Sequence, residues 1–543
     1  MGTILLKAGK LMDGSGKAGF AGHILIEGDR IKAVLRETET LPSADSVVDT
    51  SGHAVAPGFI DMHSHMDWSL PLDDHPQLLK RFLEQGVTTL VAGNCGSSPA
   101  PVTTETYRLL EQDLMLPIDK PLDYKWRSMG EFLATVEERK PVANLAELVG
   151  HGTVRVAAVG NRRGGMKPDE MKVSLDAVQR SLDEGACGLS FGLGYDPGMY
   201  CPMEEIESFS TVAAKARKPV AVHLRTYCRA SASYSPLYFK PHNLRALREM
   251  IDVARRTGMS LQVSHVMLLF RSTWPLVNEY LAIVDSARRE GIDIMIDAIP
   301  YTDLNGGVAT LLPPWFIAEL PGAYRRWRAR TRVRIENPLG FRRMGYSYQH
   351  VQLMDAAVEG WDELSGLTIP EIAARWKTSP TDAVLKLCED SKGHASILCR
   401  NAAGETGNEK HLDAILSHGL CLFETDALIR GKGYPNPAAL AAFPRILGHY
   451  ARERKLFSIE DAVKRMTSAS ADRFGLKDRG RLEPGKAADI VVFDPQAISE
   501  TVPGGKSPAG KPAGIRHVFL NGQHVVRDGA YVAGARAGRV LRT

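Results

Sequence analysis

The sequence predicts an α/β fold: a (β/α)8 TIM-like barrel with a small β-sandwich domain built from both chain termini. Three observations point there. Eight apolar runs, near residues 58–63, 87–93, 144–150, 187–191, 219–223, 261–265, 292–297 and 420–426, alternate with longer amphipathic stretches, the pattern of a parallel barrel. Both ends of the chain carry short alternating strands with hairpin signals instead. Neither end has enough strands for a core of its own, so each is expected to complete the other.

Residues 1–56 supply Ile4-Leu5-Leu6, His23-Ile24-Leu25-Ile26 and Ile31-Lys32-Ala33-Val34, with a turn at Gly28-Asp29. Residues 479–543 mirror them with Ile490-Val491-Val492-Phe493, His517-Val518-Phe519-Leu520 and His524-Val525-Val526, turning at Asn521-Gly522. The barrel takes residues 57–478. Met171–Glu184 illustrates its helices, with Val173, Val178 and Leu182 spaced as one apolar face. More than 120 residues separate the seventh and eighth runs, so an insertion is expected at about 303–360. Its basic stretch, Arg325 to Arg332, reads as a solvated face, with a lid over the active site as the alternative.

Composition narrows the class. Of 543 residues 44% are hydrophobic and 24% charged, and the net charge is +4. Disorder does not fit such apolar content, and a nucleic-acid binder would carry a larger basic excess. Seven scattered cysteines without a CxxC pair do not form a disulfide framework. The N-terminal residues lack a signal-peptide core, Leu6 stands where myristoylation prefers Ser or Thr, and no apolar run reaches the roughly 18 residues of a membrane span. A cytoplasmic enzyme acting on a small molecule is expected, without nucleic-acid or membrane partners; a homo-oligomer stays open.

The chemistry sits at strand ends. His63-Ser64-His65 closes the first run, and strand alternation puts both imidazoles on one side, where they can face one metal. His223 closes the fifth run, His265 the sixth, and Asp426 the eighth. Taken singly, His223 or His265 reads as a hydrogen-bonded core histidine. Together, four histidines and an aspartate at the catalytic end of a barrel suit a hydrolytic Zn²⁺ site with an open position. Cys95 follows the second run between glycines, in Gly93-Asn94-Cys95-Gly96. A thiolate there could bridge two metals or hold one firmly, whereas the other six cysteines read as small buried hydrophobes.

These residues carry a resemblance. His63-Ser64-His65, Gly93-Asn94-Cys95-Gly96, His223-Leu224-Arg225, Ser264-His265 and Asp426 resemble the amidohydrolase superfamily, specifically its D-aminoacylase (N-acyl-D-amino-acid deacylase) branch. Gly150-His151-Gly152-Thr153, Gly192-Leu193-Gly194-Tyr195, Leu312-Pro313-Pro314-Trp315 and Gly485-Lys486-Ala487-Ala488-Asp489 extend it over nearly the whole chain. The resemblance implies a metal-dependent hydrolase of non-peptide amide C–N bonds. It implies a tight zinc on Cys95, His223 and His265, and a weaker second site on His63 and His65 sharing Cys95. Asp426 would act as general base and then as acid. His151 and Tyr195 are candidates for hydrogen bonds to the oxyanion, with packing as the blander role.

The departures from the branch fall on substrate positions. Its usual lysine two residues after the sixth-strand histidine is Met267 here, and Tyr-Pro-Tyr-Thr becomes Ile299-Pro300-Tyr301-Thr302. His-Pro-Arg becomes Asn436-Pro437-Ala438, and His-Met-Arg-Asn-Glu becomes His223-Leu224-Arg225-Thr226-Tyr227. Losing a lysine and an arginine weakens the grip on a free carboxylate, so a neutral or hydrophobic amide is expected. His151, Tyr195, Arg225, Met267 and Tyr301 are the candidate substrate contacts, and Arg271, Arg430, Lys432 or the basic insertion could restore a charge. A cyclic-amide ring opening or a deamination is the alternative reaction; a non-catalytic binding protein on the same fold is the second alternative.

Overall fold

The computed structural model describes residues 2–111, 122–160, 162–231, 233–235, 237–405, 407–427, 429–500 and 512–543. At its centre lie β1 (Phe59–Asp61), β2 (Val87–Ala92), β3 (Asn144–Gly150), β4 (Gly188–Gly192), β5 (Pro219–His223), β6 (Ser260–Val263), β7 (Ile294–Ala298) and β8 (Cys421–Phe423). Each coincides with one of the eight apolar runs. All are parallel and pair in chain order. The ring closes just beyond β1 and β8, where Ser64 and Ala427 form a parallel bridge.

Period-two alternation explains why these strands are continuously apolar. Ile60, Val91, Ala146, Leu148, Ala221 and Leu422 fill the barrel interior as one cluster. Their sequence neighbours, including Phe59, Leu90, Leu145, Val220 and Phe423, belong to the layer shared with the helices. Both faces are buried, so the barrel is a packed core and not a pore.

The helix Pro168–Asp183 starts with Pro at its first position and buries Ser174, Val178, Ser181 and Leu182. Val173, expected on that face, is 63% exposed. Five residues separate it from Val178, which is about 140° around the helix, whereas four separate Val178 from Leu182.

The termini form one nine-stranded sheet. The strand Ala54–Pro57 joins its halves, pairing in parallel with Thr3–Leu11 and antiparallel with Ile490–Phe493. Leu6, Ile24 and Ile26 from one half meet Ile490, Val492 and Phe519 from the other in a small core. The alternate residues Val491, Phe493, Val518 and Leu520 face the barrel. Asn521-Gly522 makes the tight turn expected of it, with φ of 46° and 78°. Gly58 is all that separates the shared strand from β1, and a Cβ there would lie 2.3 Å from Thr88 Oγ1. Buried Asp489 ties the sheet to the barrel: it accepts from Asn144 on β3 at 2.8 Å and from the Asn521 amide at 2.7 Å, and pairs with Arg479.

The insertion is longer than expected. Its antiparallel sheet orders Leu304–Gly307, Ser396–Cys399 and Val351–Asp355, so the unit extends to Cys399 and not to about 360. The central strand, Ser-Ile-Leu-Cys, is too short to signal itself in sequence. The unit has its own core, including Phe316, Val333, Leu353, Leu385 and Ile397. Its basic stretch opens the helix Trp327–Met344, with Arg326 on Glu319, Arg330 on Glu389 and Arg332 on Glu336. No helix of the described residues is long and apolar enough to cross a membrane.

Candidate metal centre

The barrel gathers the strand-end residues from five strands. His63 and His65 follow β1, Cys95 follows β2, His223 ends β5, His265 follows β6 and Asp426 follows β8. The seam of the barrel runs through them: the His65 amide donates to Ala427 O and the Asp426 amide to His63 O, each at 3.0 Å. Cys95, His265 and Asp426 all have left-handed backbones, with φ of 55°, 31° and 46°. Such conformations cost L residues on the order of 1–3 kcal/mol and persist only where the surroundings impose them. Gly93 and Gly96 make the Cys95 turn possible. Both have positive φ, and a Cβ would lie 2.1 Å from Leu148 O at Gly93 and 2.5 Å from Gly192 N at Gly96.

The donor atoms converge on the Cys95 sulfur. Its Sγ lies 3.3 Å from His63 Nε2, 3.3 Å from His265 Nε2 and 3.7 Å from His223 Nδ1. His223 Nδ1 and His265 Nε2 are 2.9 Å apart. On the other side, Asp426 Oδ1 lies 3.4 Å from His63 Nε2 and 3.2 Å from His65 Nε2. Two donor groups result, Cys95–His223–His265 and His63–His65–Cys95–Asp426, each with all its donor atoms within 4.8 Å of one another. A tetrahedral zinc with ordinary Zn–S and Zn–N lengths needs donors about 3.3–3.6 Å apart. The sulfur–imidazole–carboxylate set suits that ion, and the Cys95–His63, Cys95–His265 and His63–Asp426 spacings fall in that range.

Charge at Cys95, Asp426 and His223 agrees with geometry, whereas Cys95 and Asp426, against burial, raise His65 and His265, the latter to about 9. Burial opposes ionisation of Cys95, but facing His63 and His265 hold its thiol well below the usual range, in the form that binds metal. Burial also opposes a charged Asp426, yet the hydrogen bond with His65 and the nearby His63 and His265 keep its carboxyl low. Burial pushes His223 down, towards the neutral imidazole that coordinates. The other cysteines behave oppositely: all seven are free, and burial lifts Cys201 to about 12 and Cys228 to about 11.

Comparison with known proteins decides the family. The sequence pattern of the Amidohydrolase family matches residues 46–311 and 406–526. The chain belongs to the amidohydrolase family. It is a metal-dependent hydrolase of carbon–nitrogen bonds other than peptide bonds. The gap between the matched segments falls almost wholly within the inserted unit. Two relatives from Alcaligenes xylosoxydans xylosoxydans, an N-acyl-D-glutamate deacylase and a D-aminoacylase, are 30% and 29% identical to it. Each alignment covers 99% of this chain, and 96% and 97% of the respective relative. The N-acyl-D-glutamate deacylase of Bordetella bronchiseptica, solved with zinc and a phosphonate inhibitor, matches with a TM-score of 0.80 and 28% identity over 99% of both chains.

The amidohydrolase barrel treats the candidate substrate contacts unequally. Tyr195 stands at the centre, its hydroxyl donating to Cys95 O at 2.8 Å and its ring against His223 at 4.7 Å. Met267 is buried in the core beside the site. His151 is not brought to the donor cluster. Fully buried, it bonds Glu205 at 2.9 Å and packs between Phe191 and Phe209, in the layer between barrel and helices. Arg225 is spent on the carbonyls of Met199 and Cys201 and on Glu249. Tyr301 donates to Glu500 at 2.9 Å, beneath Arg445.

Sequence reasoning missed a ring of buried acids below the donors. Asp61 accepts from Thr425 Oγ1 at 2.6 Å, and burial raises its carboxyl to about 7. Asp297 accepts from the His265 amide at 2.5 Å and from Gln262 at 2.6 Å. Asp67 accepts from the Gly93 amide at 3.2 Å; burial lifts it to about 6, and neighbouring Glu147 well above the carboxylate range. Glu424 lies against His63. A signal existed for one of them: Glu424 stands between inward-facing Leu422 and Asp426 at two-residue spacing, so strand alternation places it in the same interior, one step below the site.

Proposed function

We propose that this amidohydrolase cleaves the linear amide C–N bond of an N-acyl compound that is neutral or hydrophobic where a free amino acid would carry its carboxylate. The observation that carries the reaction is the convergence of Cys95, four histidines and Asp426 at the C-terminal ends of the barrel strands. Cys95, His223 and His265 would hold zinc tightly, and His63 and His65 would share Cys95 in a second site. Zinc, when bound, supplies a Lewis acid for the amide carbonyl and makes water acidic enough to attack at neutral pH. Asp426, a low-pKa carboxylate against both histidines of the pair, takes the proton of the attacking water and returns it to the departing nitrogen. Tyr195 fixes the Cys95 carbonyl, and hence the turn that presents the thiolate.

The substrate reading rests on where the positive charges went. Met267 and fully buried Ala438 stand where the branch usually has lysine and arginine. The candidate replacements already have acids: Arg271 pairs with Glu405, Arg430 with Asp355 at 3.0 Å and Lys432 with Asp362 at 3.7 Å. Burying a carboxylate without a cation is expensive, so such a pocket favours an uncharged group. Steady-state kinetics of the zinc-loaded protein with N-acetyl-D-methionine and a neutral N-acyl anilide tests this. The anilide is expected to have the higher kcat/KM; fast, stereoselective turnover of N-acetyl-D-methionine would overturn the pocket assignment. Mass spectrometry showing a single product heavier by one water would replace deacylation with ring opening.

A further inference from the structure

His63 presents two nitrogens to two environments. Nε2 faces Cys95 and Asp426. Nδ1 points into the barrel, where two carboxylates lie within reach: Glu424 Oε2 at 3.5 Å and Asp297 Oδ1 at 3.9 Å. The two acids are not equivalent. Asp297 is engaged by the His265 amide and by Gln262. Glu424 is fully buried beside Asp297, and neither of its oxygens accepts a hydrogen bond from an N–H or O–H donor of another residue; His63 Nδ1 likewise has no partner. Buried polar groups are rarely left without partners, so an unbonded donor facing an unbonded acceptor marks a contact that the filled site completes.

We propose that Glu424 is a positioning residue for His63, fixing the tautomer with hydrogen on Nδ1 and thereby holding Nε2 for the second metal. Nδ1–H becomes a stronger donor once Nε2 gives its lone pair to a cation, and Glu424 is the acceptor still free to receive it. A carboxylate behind a ligating imidazole sets the ring orientation and raises the ligand's basicity; removing such a partner costs about 10–100-fold in metal affinity. Glu424 meets the donor set at His63, and lies against Asp297, which bonds the His265 amide. The described contacts of Cys95, His223 and His265 do not include it.

This inference rests on the reading of His63 as a ligand, and its test reads metal and not turnover. Zinc is titrated by equilibrium dialysis, with metal counted by mass spectrometry, into the full-length protein and its Glu424→Ala and Glu424→Gln variants. The tight equivalent is expected unchanged in all three. The second equivalent should bind Glu424→Ala about 10–100-fold more weakly, with Glu424→Gln, which keeps an oxygen acceptor, in between. Equal affinity for the second equivalent in all three proteins would overturn the assignment. Should the alanine variant not fold, the comparison with glutamine decides, and equal affinity there overturns it. Absence of any bound zinc in the parent protein would instead remove the proposed function itself.

Discussion

The Asp426 amide donates to the His63 carbonyl at 3.0 Å. The carboxylate assigned to proton transfer and the first histidine of the His-x-His pair are therefore joined across the seam that closes the barrel. Asp426 Oδ1 returns to the same residue, 3.4 Å from His63 Nε2. The contacts that close the barrel thus also set His63 beside Asp426, whose backbone is left-handed.

Asp426→Asn keeps the shape and the seam hydrogen bond but removes the proposed base. Turnover is expected to fall by about 10²–10⁴-fold, the usual share of a general acid–base residue, with zinc content unchanged. Cys95→Ala should lose both activity and zinc, because the sulfur belongs to both donor groups. Metal analysis beside kinetics separates the two; near-parental turnover in the asparagine variant would end the Asp426 assignment.

Asp489 binds Arg479, Asn144 and the Asn521 amide, and the side chains of Asp489 and Arg479 are each only 4% exposed. Asp489→Ala leaves the buried Arg479 guanidinium with only Asp478, at 3.6 Å, as a carboxylate neighbour. The expected loss is about 3–5 kcal/mol of unfolding free energy, measured by urea denaturation. A midpoint within error of the parent would show that the network carries no stability.

His524 lies in the sheet of the termini, stacked on Phe519 with ring centroids 4.4 Å apart and 3.2 Å from His517. Burial, then the neighbouring His517 and Arg527, lower its pKa to about 4. Unfolded, it titrates near 6.5, so between those values the unfolded chain binds more protons. Its contribution to stability is full above pH 6.5 and is lost as pH falls towards 4. Melting temperatures of His524→Gln should therefore decline less steeply than the parent's across pH 6.5 to 4. Parallel curves would exclude His524 as the cause.

Much of the molecule could be read along the chain. All eight barrel strands were visible because strands buried on both faces need continuous apolar runs, and the donors stood at their ends. What could not be read lies across the chain. Tyr301 is occupied by Glu500 and Arg225 by Glu249, partners that no local pattern specifies. His151 follows β3 directly, yet its bond to Glu205 turns it towards the helices. The inserted unit runs past residue 360 because its central strand, Ser396–Cys399, finds both partners far upstream.

The strand Ala54–Pro57 has a consequence for how this chain comes to be folded. Pro57 pairs with Ile490, 433 positions later. During synthesis the N-terminal strands wait with an open edge while the whole barrel emerges, and such unpaired edges invite association with other chains. Contacts of so long a range form slowly. Ile490–Phe493 thus seals a strand made more than 400 positions earlier, and until it arrives that edge stays open to other chains.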